Sequence, residues 1–291
     1  MKKKHTLSFK AQSYIAGYTF IALPIIGILL FTFIPLVFSL YVSFNEYDFF
    51  TGEFTHIGFA NFNKAFKDPY FIVSLQNTAL TLLGLGVQIV VALLIALLLT
   101  VNIKGQPIFR AFFFIPSLCS SVAVTLVWKW MFNADFGILN SILGVFGIPK
   151  VNWLGDKNVA MLSMIMQGVW MGIGGGMVMY IAALKNAPKS LYEAAEIDGA
   201  SNIQKFLHIT LPLIKPTTFY LLITGIIGGL QSYTDAVVFA EGHEGVRTIV
   251  WYIWHYGIDS GNYGYASAVS TFLGIVIMII TLIQFKRTKM L

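Results

Sequence analysis

The stretch FIVSLQNTALTLLGLGVQIVVALLIALLLT, Phe71 to Thr100, runs thirty residues without a charged side chain. As a helix it would extend about 45 Å at 1.5 Å per residue. About 20 apolar residues already cross a bilayer, so this segment is a membrane span. Working outward, five further apolar stretches of comparable length stand at Ile15–Phe44, Phe109–Met131, Val159–Leu184, Thr217–Ala240 and Tyr265–Phe285. The sequence predicts an all-α membrane protein with six transmembrane helices. Composition agrees: 57% of the 291 residues are hydrophobic and only 11% charged, against about 25% charged in a soluble domain. Mean hydropathy is +0.75.

The net charge of +6 is distributed as a topology signal. With the N-terminus inside, thirteen basic residues fall in cytoplasmic segments: Lys2, Lys3, Lys4, Lys10, Lys104, Arg110, Lys185, Lys189, Lys205, Lys215, Lys286, Arg287 and Lys289. Five fall outside, namely Lys64, Lys67, Lys150, Lys157 and Arg247, while Lys129 sits near the outer end of the third span. The loops are short enough for the positive-inside rule, so both termini are expected in the cytoplasm. Nucleic-acid binding is excluded by the same distribution. The N-terminal apolar stretch is too long for a signal peptide and reads as a retained span, kinked at Pro24 or Pro35. The single cysteine, Cys119, excludes an internal disulfide. Trp128, Trp130, Trp153, Trp251 and Trp254 fall at the outer ends of spans, where an aromatic belt belongs. Asp135 is placed to cap a short apolar helix over 136–146. No linker or internal repeat divides the chain, which reads as one domain, 1–291.

The most informative polar stretch is the loop from Lys185 to Lys215. Ser190 and Glu193 have the S-x-x-E spacing of a capping box, predicting a helix from Leu191. Gly199 suits the left-handed residue that ends it. Ser201 and Gln204 make a second box, with Pro212 limiting the helix after it. Glu193, Glu196 and Asp198 are the only acidic residues on the cytoplasmic side. A solvated face would explain the acids, but not the adjacent Ala194-Ala195 or an exposed Leu191-Tyr192. This loop is expected to contact a partner.

Glu193-Ala194-Ala195, Gly199 and Ile209-x-Leu211-Pro212 resemble the EAA-x3-G-x9-I-x-L-P signature of binding-protein-dependent ABC importer permeases, with every spacing kept. Phe109-Arg110-Ala111-Phe112-Phe113-Phe114-Ile115-Pro116, Trp128-Lys129-Trp130-Met131-Phe132, Phe136-Gly137-Ile138-Leu139-Asn140, Asn152-Trp153-Leu154 and Gly264-Tyr265-Ala266-Ser267-Ala268 are similar to the branch serving di- and oligosaccharides or glycerol phosphate. One departure is the segment Phe239-Ala240-Glu241-Gly242-His243-Glu244-Gly245, where family members often carry T-x-G-G-P. The resemblance implies a type I ABC importer permease fold in the bacterial inner membrane. It also implies a heterodimer with a second permease, two ATPase subunits, an extracytoplasmic solute-binding protein and a sugar substrate. Ser190, Tyr192, Glu193, Ala194, Ala195, Gly199 and Pro212 would then form the ATPase coupling element.

An enzyme is disfavoured. The five histidines are scattered without metal-ligand spacing, and Gly172-Ile173-Gly174-Gly175-Gly176 lacks the Lys-Ser/Thr of a phosphate loop. No cofactor and no metal are expected, and ATP would be hydrolysed by a separate subunit. An ion-coupled secondary transporter usually needs ionisable residues at mid-membrane; the first, second, fourth and sixth spans hold no charged residue. For a substrate path, Gly168, Met171, Gly172 and Gly175 share one face of the fourth span, and Thr224, Gly228, Gln231 and Asp235 one stripe of the fifth. Polar groups opposite glycines suit a cavity for a neutral, hydroxyl-rich ligand; tight helix packing would explain the glycines equally well.

The orientation can be checked directly. In a Cys119-free background, Lys67→Cys and Lys157→Cys should react with an impermeant thiol reagent added outside, and Lys104→Cys and Lys189→Cys should not. The opposite labelling pattern would overturn the orientation.

Overall fold

The computed structural model describes residues 9–47, 51–101, 104–239 and 244–287. The N-terminal lysines Lys2, Lys3 and Lys4, the C-terminal Lys289 and residues 240–243 of the departing segment lie outside these. Helix α1 (Phe9–Ile28) passes through one wide π turn, Leu29–Phe33, into α2 (Ile34–Ser43). A small antiparallel hairpin comes next, β1 (Asn45–Tyr47) against β2 (Phe54–His56), and then α3 (Ala60–Lys67). Helix α4 (Pro69–Leu98) is capped by Asp68, whose carboxylate accepts from the Tyr70 amide at 2.8 Å. Beyond it are α5 (Gln106–Leu118), α6 (Ser121–Met131), the short α7 (Ile138–Val145) and the long α8 (Lys157–Lys185). The second half runs through α9 (Lys189–Ile197), α10 (Asn202–Lys205), a π turn Phe206–Thr210, and α11 (Leu211–Leu230). It ends with α12 (Thr234–Phe239), α13 (Ile249–Trp254), a π turn His255–Asp259 and α14 (Tyr263–Arg287).

Five of these runs are long and apolar enough to cross a membrane, or six if the bent pair α5–α6 is counted as one span. Three differ from the sequence expectation in an instructive way. The irregularity in the first span lies at residues 29–33, just ahead of Pro35, while Pro24 is carried inside α1 without a break. Pro35 cannot donate, and its ring crowds the carbonyl four residues back, so the Ile34 amide reaches back five residues to the Leu29 carbonyl. The same device carries the chain through Pro212, where the Leu211 amide donates to the Phe206 carbonyl. Pro212 therefore does not limit a separate loop helix; Asn202 to Leu230 forms one continuous span. That span stops at Leu230, short of the expected Ala240, and resumes as α12 after a break at 231–233. The third span is not straight: α5 and α6 meet at 99°. Pro116 weakens the last turn of α5, and Cys119 is extended, with φ −75° and ψ 155°.

The chain divides into two compact units, Met1–Ala65 with His255–Phe272 and Phe66–Trp254 with Leu273–Leu291. In the first, the buried Asn61 amide donates to the Ser43 and Asn45 carbonyls at 3.1 Å each, tying α3 to the end of α2. Gly264 in α14 lies directly against the Asn45 carbonyl, leaving no space for a side chain. None of the apolar window of the first span is buried within the chain.

The second unit is built on α4, α8 and α11. Ile89, Ala92, Ala96, Met177, Tyr180 and Ile214 form its core. Ala92 and Ala96 are fully buried, and a Cβ on Gly176 would stand 3.0 Å from that of Ala92, so α4 and α8 approach through small residues. Gly84 and Gly172 serve the same contact, the first against Ile165 and the second beneath Gln88, whereas Gly86 and Gly228 face open space. Helix α5 crosses α8 at Gly174, where a Cβ would strike the Phe113 carbonyl and come within 2.9 Å of the Phe114 Cα. In α7, Gly137 occupies the N-cap and makes no side-chain cap bond, so Asp135 does not cap it. Asn133 Oδ1 instead accepts the Asp135 and Phe136 amides, and Asn140 holds Val151 and the Trp153 indole.

Because backbone, not a side-chain tip, faces Gly174, Gly174→Ala should cost about 1–3 kcal/mol as overpacking. Its melting temperature in detergent should fall clearly below that of Gly86→Ala, which meets nothing. Equal melting temperatures would contradict the α5–α8 contact.

Candidate functional site

Where α4, α8 and α11 face each other with small residues and nothing fills the gap, a cavity of about 250 Å³ remains. Thr81 and Gln88 reach it from α4, Gly168 from α8, Gly228 from α11, and Ser232 and Asp235 from the break and the start of α12. A Cβ on Gly168 or Gly228 would meet no atom within 4 Å. Of the residues expected along a substrate path, Gly168, Gly228 and Asp235 line this space. The other five do not. Gly172 is covered by Gln88, whose Nε2 donates to the Gly172 carbonyl at 3.1 Å. Met171 lies beside Gln167, and Gly175 faces open space elsewhere. Thr224 is exposed and donates to the Tyr220 carbonyl at 2.8 Å; Gln231 is exposed at the C-terminus of α11. The two stripes therefore do not face one another along their length.

Asp235 is held from another helix. Thr125 Oγ1 of α6 donates to its Oδ1 at 2.8 Å, and the fully buried Gln167 of α8 donates from Nε2 to that same Thr125 hydroxyl at 3.4 Å. The break before α12 is braced by Thr248, whose hydroxyl donates to the Ser232 carbonyl at 3.0 Å. The stripe patterns did not single out Gln88, Thr125 or Gln167. A signal was present for the two glutamines, since a primary amide inside an apolar span needs a partner when buried. Among the described residues, no lysine, arginine or histidine lines the cavity. It offers hydroxyl, amide and carboxylate groups and so suits a neutral hydrogen-bonding ligand.

The second candidate is the loop after α8. Helix α9 begins at Lys189, with Pro188 as N-cap and no side-chain cap bond, so the Ser190–Glu193 box is not formed. Pro188, at φ −62°, starts the helix two residues early and places Ser190 inside its first turn, out of register for capping. The C-terminus is as expected. Gly199 has φ +76°, its amide donates to the Glu196 carbonyl at 3.1 Å, and the Ala200 amide donates to the Ala195 carbonyl at 2.8 Å, the two bonds of a Schellman ending. The Ser201–Gln204 box is formed in both directions. Two side-chain contacts fasten α9 to the segments C-terminal to it: Tyr192 Oη lies 3.0 Å from Thr210 Oγ1, and Glu196 pairs with Lys205 at 2.6 Å.

Other side chains of α9 point away from the chain. Ser190, Glu193 and Ala194 are exposed, Ala195 is half-buried, and Glu193 has no polar partner among the described residues. Ile197 is 87% exposed and Leu191 45%. Pro212 is exposed near the start of α11. Helix α9 therefore shows an uncovered isoleucine beside a carboxylate without a polar partner among the described residues, while Tyr192 and Glu196 fasten it elsewhere. Among the described residues, no three His, Cys, Asp or Glu side chains converge as metal ligands.

Residues 88–287 match the family described as "Binding-protein-dependent transport system inner membrane component". The chain is 36% identical to a probable ABC transporter permease protein, YesP, of Bacillus subtilis, covering 99% of this chain and 94% of that one. It is 34% identical to the arabinooligosaccharides transport system permease protein AraP of the same organism, covering 93% and 88%. A chain in the crystal structure of a bacterial ABC transporter involved in the import of the acidic polysaccharide alginate has the same fold, with TM-score 0.82, 24% identity and coverage of 97% and 98%.

Nothing lies within 4 Å of a Cβ placed on Gly199, so its substitution tests conformation alone. A left-handed alanine costs about 1–2 kcal/mol. Gly199→Ala should therefore speed amide exchange at residues 199 and 200 by roughly five- to thirty-fold, with Gly199→Asn in between. Unchanged exchange in both would mean that the Schellman ending does not hold this loop.

Proposed function

As the chain belongs to the family of binding-protein-dependent transport system inner membrane components, we propose that it forms half of the translocation path for a carbohydrate and is driven by a separate ATPase docked on α9. The observation that carries this reading is the division of labour on α9. One side is fixed to the membrane helices by Tyr192, Glu196 and the turn at Gly199, while Leu191, Glu193, Ala194 and Ile197 are left for a partner. An arginine on the ATPase could meet Glu193 in a charge-assisted contact, and the two alanines allow close approach.

The geometry also supplies a way for nucleotide-driven motion to reach the substrate. Helix α9 ends in the Schellman turn, and the Ser201 box then starts α10, which runs through the π turn into α11 without a break in helical hydrogen bonding. Near its far end, α11 contributes Gly228 to the cavity wall. Displacing α9 in the cytoplasm would shift that wall. Tyr180 Oη donates to Thr218 Oγ1 at 2.9 Å, tying α8 into the same movement.

The proposal extends to partners and substrate. About 250 Å³ is below the roughly 300–1,000 Å³ of ordinary ligand sites, which supports a second permease completing the path. A cavity with one carboxylate and no cation among its described lining favours a neutral sugar over glycerol phosphate or another anion. Family membership and the basic residues at one set of helix ends support an N-in/C-in orientation, two ATPase subunits inside and a solute-binding protein outside.

The test is uptake together with binding-protein-stimulated ATP hydrolysis by the reconstituted importer. Removing one partner of a buried charged contact costs about 2–5 kcal/mol, so Glu193→Ala should depress both activities. Gly168→Leu, which meets no atom at its Cβ, should leave assembly intact and block uptake. If both variants keep wild-type uptake and hydrolysis, α9 is not the coupling element and this cavity is not the path.

A further inference from the structure

At the ends of α4 and α8, behind α9, lies a separate cavity of about 460 Å³ with a lining of mixed chemistry. Leu97, Val101 and Leu184, from the last turns of two membrane-crossing helices and the residues just after, form the apolar wall. Lys185 and Lys189 also line the cavity, as do Thr100, Tyr192 and Thr210. Among the described residues, no aspartate or glutamate lines it. Neither lysine has a hydrogen-bond or ion-pair partner among the described residues, and the nearby carboxylate of Glu196 is taken by Lys205. Two such lysines on one cavity give it positive charge that an anion would offset. The first turn of α9 borders the space, and its leading amides have no side-chain cap, which adds to the positive potential without being needed for the argument.

The geometry points to a binding site for a phosphate group carried on an apolar tail, that is, the headgroup of an anionic phospholipid. Phosphate chemistry is indicated by the two lysines and the lack of a lining carboxylate. The lipid source is indicated by position. Lys185 is the last residue of a span and Leu97, Val101 and Leu184 lie at the ends of spans, so the cavity sits at headgroup depth with its apolar wall continuing the hydrocarbon surface. A free phosphate would leave that wall in water. Lys189 and Tyr192 belong to α9, so the site shares that helix with the proposed ATPase contact; lipid retention and ATP hydrolysis are read separately, so failure of one reading is distinguishable from failure of the other.

The experiment uses the assembled importer, purified and exchanged into nanodiscs of phosphatidylcholine with about one-fifth phosphatidylglycerol, with retained lipid counted by native mass spectrometry. Each direct lysine–phosphate contact contributes at least about a ten-fold preference, so Lys185→Gln with Lys189→Gln should weaken phosphatidylglycerol retention roughly hundred-fold. Both side chains are exposed, so the double variant should fold normally. Lys215→Gln with Lys286→Gln, which removes two cations outside the cavity, should retain lipid as the wild type does. Equal loss in that control would reduce the effect to diffuse attraction of the leaflet and overturn the site. So would unchanged retention in the Lys185/Lys189 variant, or equal retention of phosphatidylcholine. Displacement of the lipid by millimolar glycerol phosphate or inorganic phosphate would assign the site to a soluble anion and overturn the lipid assignment.

Discussion

A backbone amide in hydrocarbon has no water to fall back on, and leaving it unpaired costs several kcal/mol. That obligation explains why the membrane portion is helical and, more tellingly, how it departs from straight helices. Pro35 and Pro212 each remove a donor from within a span. In both cases the preceding amide reaches back five residues and the chain continues. The break at 231–233 is treated differently, with the Thr248 hydroxyl satisfying the Ser232 carbonyl. At the start of α13, Thr78 Oγ1 accepts the Ile249 amide at 2.8 Å. Hydroxyls from neighbouring segments thus make irregular backbone tolerable where the cavity needs it.

Small side chains produce both rigidity and space. Ala92, Ala96, Gly84, Gly172, Gly174 and Gly176 let helices touch closely, and dispersion across such contacts replaces the hydrophobic effect that lipid cannot supply. Gly168 and Gly228 look alike in sequence but face empty volume. One set of glycines fixes the scaffold and the other opens it. Asp235 is then the polar anchor of the open region, held by the Thr125 hydroxyl, which the Gln167 amide meets in turn.

Much of this is legible in the amino-acid sequence. The long apolar runs locate the membrane helices, Gly199 announces a left-handed turn, and Ser201 with Gln204 announces a capping box; each depends on a residue type that performs one local task. The features that sequence patterns miss depend on register or on neighbours. The Ser190–Glu193 spacing is right for a box, yet Pro188 starts the helix early and shifts both residues out of place. The 99° turn between α5 and α6 needs Pro116 and an extended Cys119 together. Glycines in the fourth span read as one stripe, but Gln88 from α4 covers Gly172 and leaves Gly168 open. Facing partners decide such outcomes, and a single helix pattern does not contain them.

The π turn at Phe206–Thr210 has a consequence of phase. An α-helix advances about 100° per residue, so a turn holding one extra residue rotates everything upstream relative to everything downstream by about that angle. The exposed side of α9 and the cavity side of α11 are therefore set against each other by a residue count as well as by contacts. Tyr192 meets Thr210, the last residue of that turn, which locks the phase where it is created. Helix α9 and the membrane helix behave like two gears keyed to one shaft, and the key is a single surplus residue ahead of Pro212.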